Sequence, residues 1–136
     1  MTLLPFRRLL REEKGATIVE FAFAFPALVV LIYAIAQLGM VYRAMSGIQH
    51  SLGEGSRMAI LYPRPSTDDI EDKMEDAVFG IGPGTFNIPT PTEVNDTLLL
   101  KVTYTQTTSL LLFPGPTISV TRQKLVYTDG SEDEDD

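Results

Sequence analysis

The chain has 136 residues with 18 acidic and 11 basic side chains, a net charge of −7 and no cysteine. That length bounds it to a single small domain, or a membrane helix carrying a small head. Disulfides, thiol chemistry and cysteine-based metal sites are excluded. The acidic balance also argues against duplex nucleic acid, which demands clustered Lys and Arg.

The charge is split along the chain. Residues 1–15 carry Arg7, Arg8, Arg11 and Lys14 against Glu12 and Glu13, a net of +2, which leaves −9 for the rest. Residues 16–42 contain no Lys, Arg, Asp or His, and Glu20 is their one charged residue. As a helix this run measures roughly 40 Å at about 1.5 Å per residue, whereas a bilayer core is about 30 Å thick. The spacing therefore predicts a membrane-spanning helix over 16–42. Pro26 removes one internal hydrogen bond and predicts a bend. The basic leader at 1–15 predicts an N-terminus in the cytoplasm and a head on the far side of the cytoplasmic membrane.

Residues 43–62 continue as an amphipathic helix, weakened by Gly47, Gly53 and Gly55, so its helicity is expected to depend on packing. Pro63 and Pro65 end it. Ser66 is the expected N-cap of a short helix over 67–79, with Asp69 three residues on and Gly80 at its C-terminal cap. The Gly and Pro density of 80–96 predicts a loop. Alternation and β-branching predict strands at 97–108 and 117–127, joined through FPGP at 113–116 as a hairpin. Leu98, Leu100 and Val102, with Ile118, Val120 and Leu125, are the expected inward positions. Residues 129–136 are expected to be a disordered acidic tail. The fold class is thus α+β: a membrane helix running into an amphipathic helix, then a small head (63–128) of one helix and a hairpin or small antiparallel sheet.

His50 is the only histidine and, without a companion ligand, is a poor metal-site candidate. The serines at 46, 51 and 56 have no evident base partner, and the acidic cluster at 68–76 lacks the spacing of a calcium loop. No catalytic residue, metal or cofactor is expected.

Three readings of the N-terminus remain open. It is an uncleaved anchor, or a signal peptide cut near Ala34-Ile35-Ala36, or a segment processed at the Lys14-Gly15-Ala16 junction. That junction, with Glu20 following, resembles the leader of type IV pilins and pseudopilins. Glu20-Phe21, Pro26 and the small-residue helix ending at Arg57 extend the likeness over about residues 7–60 to the TadE-like family of the tight-adherence pilus system. The resemblance implies cleavage by a prepilin peptidase after Gly15, leaving Ala16 as the new N-terminus. It also implies an assembly contact made by Ala16, Glu20 and Phe21, in which the carboxylate of Glu20 neutralises the α-amine of a neighbouring subunit. The implied partners are other minor and major pilins, the inner-membrane assembly platform and the lipid bilayer. The head is larger than in major pilins of this system, which points to a minor pilin.

Overall fold

The computed structural model describes residues 13–80, 82–109, 111 and 113–128. The expected leader up to residue 12 and the acidic tail from 129 lie outside them. Helix α1 spans Glu13–Ala59 and runs without interruption through Pro26 and across the expected boundary at 42. Helix α2 (Thr67–Ala77) follows, then strands β1 (Thr85–Asn87), β2 (Thr92–Val94), β3 (Thr97–Ser109) and β4 (Pro114–Tyr127). This is the expected α+β class, and of the hairpin or small antiparallel sheet expected for the head it is the sheet that forms, with four strands.

Strand β3 is the centre of the sheet. It pairs with β4 along nearly its whole length on one side, and with β1 and then β2 on the other. The segment 80–96, expected to be a loop, therefore contains two short strands. The correction has a local cause. Asn95 and Asp96 both take positive φ, 44° and 54°, which is the two-residue turn that returns β2 onto β3. Val94 and Thr97 close it as paired residues.

Alternation along β3 puts Leu98, Leu100, Val102, Tyr104 and Gln106 on one buried face. Helices α1 and α2 cover that face. Opposite these residues on β4 stand Val126, Lys124, Arg122, Val120 and Ile118. Leu125 was expected to point inward, but it is 58% exposed and Val126 takes the buried position. The reason is parity: Leu125 cannot share a strand face with Ile118 and Val120. Arg122 and Lys124 consequently lie on the helix-covered face of an edge strand, where charge discourages pairing with a further strand. The other face carries a hydroxyl ladder, with Thr103–Thr121 at 3.0 Å and Thr105–Ser119 and Thr107–Thr117 at 3.4 Å.

Ser66 caps α2 as expected. Its hydroxyl accepts from Asp69 N–H at 3.1 Å, and the Asp69 carboxylate accepts from Ser66 N–H at 3.1 Å. The C-cap is Val78 rather than the expected Gly80, with its N–H donating to the Met74 carbonyl. The hydrogen bonds from the Ser66 hydroxyl and then from its backbone N–H hold the Asp69 carboxyl below its ordinary pKa. A carboxyl lowered on folding favours the folded state above its unfolded pKa, and that contribution disappears as pH falls through the lowered value. Ser66→Ala is expected to destabilise the head by ~1 kcal/mol, the usual scale for a lost N-cap, in urea titrations at neutral pH. The difference from wild type should shrink in acid, where Asp69 is protonated.

Candidate assembly segment

Two regions of α1 differ in their surroundings. Residues 15–28 are exposed on every side, including Phe21, Phe23, Phe25 and Leu28. From Val29 onward a covered stripe develops. Val29, Val30, Tyr33 and Ala34 are half-buried, and Gln37, Val41, Ala44, Ile48 and Leu52 are buried. These positions recur every three or four residues and form one helix face. The helix is long and apolar enough to cross a membrane.

The expected site residues all fall on the exposed region. Gly15, Ala16, Glu20 and Phe21 lie within continuous helix, and Ala16 and Glu20, four apart, share a face. Phe21 stacks on Phe25 with ring centroids 5.7 Å apart. A Cβ added at Gly15 meets nothing within 4 Å. Packing among the described residues therefore does not require glycine at that position.

Sequence reasoning missed how the head is held on α1. The Gln37 amide is matched to the backbone at the end of β3. Its Oε1 accepts from Ser109 N–H at 3.1 Å while its Nε2 donates to the Ser109 carbonyl. One turn earlier, the Tyr33 hydroxyl lies 3.1 Å from the Ser109 hydroxyl. Gln37 stands on the same stripe as Val41 and Ala44, so an amide at i with small or apolar residues at i+4 and i+7 was the available signal. Further along, Gly47 admits the backbone of the segment after α2: a Cβ there would sit 1.7 Å from the Phe79 carbonyl oxygen. At Gly55 the added Cβ would sit 2.5 Å from Met74. Two of the three glycines that weaken the isolated helix, Gly47 and Gly55, are thus the places where α2 and its exit cross it, whereas Gly53 meets nothing within 4 Å. Ser51 donates to the Met74 carbonyl at 2.7 Å, a second hydrogen bond beside that from Val78 N–H, and so ties α2 to α1.

Gln37→Leu keeps the size of the side chain but removes both amide bonds to the Ser109 backbone. It is expected to cost about 1–3 kcal/mol, the penalty for polar groups left unpaired. Hydrogen exchange should show the loss first at Ser109. Protection there equal to wild type would contradict the role of Gln37.

Residues 15–57 match the model of the TadE-like protein family. This segment resembles the TadE-like proteins. The match covers about a third of the chain and ends within α1, so it takes in the apolar helix and its glycine-bearing extension but neither α2 nor the sheet. No curated protein and no solved structure matches the chain. The match begins at Gly15, where charged residues give way to the apolar run.

Proposed function

We propose that the protein is a minor pilin or pseudopilin that acts in assembly, priming or the tip of a tight-adherence pilus used for surface attachment. The observation that carries this reading is the TadE-like match starting at Gly15 and spanning the Glu20 helix. In the proposed sequence of events the N-terminus stays in the cytoplasm, α1 crosses the inner membrane and the head emerges in the periplasm. A prepilin peptidase cuts after Gly15 and frees the amine of Ala16. Glu20 of one subunit then neutralises that amine on a neighbour. Inside an apolar bundle such a pair sets register, because a carboxylate left unpaired there is expensive. The protein acts by assembling with other pilins and the membrane platform, with no reaction of its own.

Two features support the processing step. Glycine at 15 has no packing role among the described residues, and a glycine lets an extended backbone approach a protease closely. Gly15→Leu should block the cut when the chain is co-expressed with a prepilin peptidase, leaving a product that retains residues 1–15. A Gly15→Leu chain processed like wild type would overturn the assignment of the junction.

The other reading is an uncleaved single-span envelope protein whose periplasmic head binds a protein partner. The size of the head, which extends well past the TadE-like segment, favours keeping it. The two readings part on the N-terminus of the mature chain.

A further inference from the structure

We infer that the β3–β4 hairpin tip, through Leu111 and Phe113, is seated in the membrane leaflet on the side of the head. The inference rests on α1 crossing the bilayer, and goes beyond it by giving the head a second membrane contact.

The charged residues Glu12, Glu13 and Lys14 fix where the apolar run can begin. From Gly15, a core of about 30 Å takes up ~20 helical residues, which places its far boundary near Ala34–Gln37. The end of β3 is bonded to Tyr33 and Gln37 at that same level. The half-buried stripe reaches a turn deeper, to Val29. Holding the tip in water would require the membrane to end before Val29. That would leave residues 15–28 to span it, roughly 21 Å at about 1.5 Å per residue, which is shorter than the core.

Hairpin turns ordinarily use Gly, Asn or Asp, above all where φ is positive. The β2–β3 turn obeys this with Asn95 and Asp96. In the β3–β4 connection, among the described residues, it is Leu111 that has positive φ, at 59°. Leu111 is 54% exposed and Phe113 is 69% exposed. A large apolar side chain in a conformation that favours glycine, turned out of the fold, is suited to lipid rather than water.

Residues 102–121 contain no Asp, Glu, Lys, Arg or His, and neither do residues 77–92. Both stretches pack towards the Gln37–Gly47 part of α1, as the Ser109 bonds and the contact of Gly47 with Phe79 show. The charges of the head, among them the acidic face of α2, Lys101, Arg122 and Lys124, belong to the end nearer Gly55. The head is thus uncharged on the side that meets the bilayer. Tyr33 supplies an aromatic hydroxyl at the interface, the depth at which such side chains favour bilayers.

The absence of cysteine makes single-site labelling direct. The full chain would be reconstituted at a high lipid-to-protein ratio in phosphatidylethanolamine–phosphatidylglycerol vesicles. An environment-sensitive fluorophore would be placed at Leu111→Cys or Phe113→Cys. Phe25→Cys serves as the membrane-span control and Lys73→Cys, on the exposed face of α2, as the aqueous control. The expected result is a blue-shifted emission and quenching by lipid-tethered spin label at Leu111→Cys, Phe113→Cys and Phe25→Cys, with neither at Lys73→Cys. A water-like signal at both tip positions, with Phe25→Cys still in lipid, overturns the inference and leaves the membrane span standing. A water-like signal at Phe25→Cys removes the span and the inference together. A blue shift at the tip that lipid quenchers do not reach, and that disappears on dilution into excess lipid, assigns the tip to a second copy of the chain and also overturns it.

Discussion

Gly47→Ala is expected to destabilise the head by about 1–3 kcal/mol, the range for forcing added volume into a packed interior. The position is buried, and the new Cβ would stand 1.7 Å from the Phe79 carbonyl oxygen and 2.7 Å from its carbon. Both are backbone atoms, so relief requires moving the whole segment after α2 away from α1. Gly55→Ala meets the side chain of Met74 at a similar closeness. Methionine is flexible and can swing aside, so the smaller loss is expected there. Gly53→Ala meets nothing within 4 Å and should be neutral or gain up to ~1 kcal/mol from helix propensity. Urea titration of the full chain in detergent, followed by circular dichroism, ranks the three. Equal stability of Gly47→Ala and Gly53→Ala would contradict the crossing described here.

Glu20→Ala is the second large effect, and it falls on assembly rather than folding. The head packs on α1 from Val29 onward, and Glu20 lies on the exposed part of the helix. The variant should therefore fold, insert and be processed like wild type. Within the proposed filament it leaves a neighbour's amine unpaired among apolar helices, a loss of about 3–5 kcal/mol at each contact. Incorporation into sheared pili should fall at least a hundredfold, with the protein retained in the membrane fraction. Wild-type incorporation of Glu20→Ala would remove the amine–carboxylate contact from the account.

Much of this architecture is legible in the sequence, and the misses have specific causes. The apolar run, the capping box at Ser66 and the alternation at 97–108 report local physics, and each forms where its pattern falls. The segment 80–96 hides β1 and β2 because three-residue strands among Gly and Pro have too little alternation to register. They exist because β3 offers them an edge. The β3–β4 turn was expected at FPGP, 113–116, since Pro and Gly usually mark turns. In the structure Ser109 pairs with Pro114, and the residues of PGP belong to β4. The prolines are tolerated because β4 is an edge strand. Gln37 fixes Ser109, so the chain must reverse directly after it. That constraint comes from a helix 72 residues away and could not be read locally.

The candidate site divides in the same way. Gly15, Glu20 and Pro26 were legible as a pattern of types at a spacing, and the TadE-like match covers them. The roles of Gln37, Gly47 and Gly55 depend on what crosses α1. A helix period shows that they share a face, but not that a strand end or a backbone segment arrives there.

The central claim is that the chain is cut after Gly15 and that Ala16 becomes the N-terminus of an assembling subunit. Intact-mass and N-terminal peptide spectrometry of the full chain, recovered from cells that make a prepilin peptidase, tests it most directly. The account predicts a protein lighter by residues 1–15 and beginning at Ala16. A mature chain that still carries residues 1–15, or one that begins after Ala36, would contradict it.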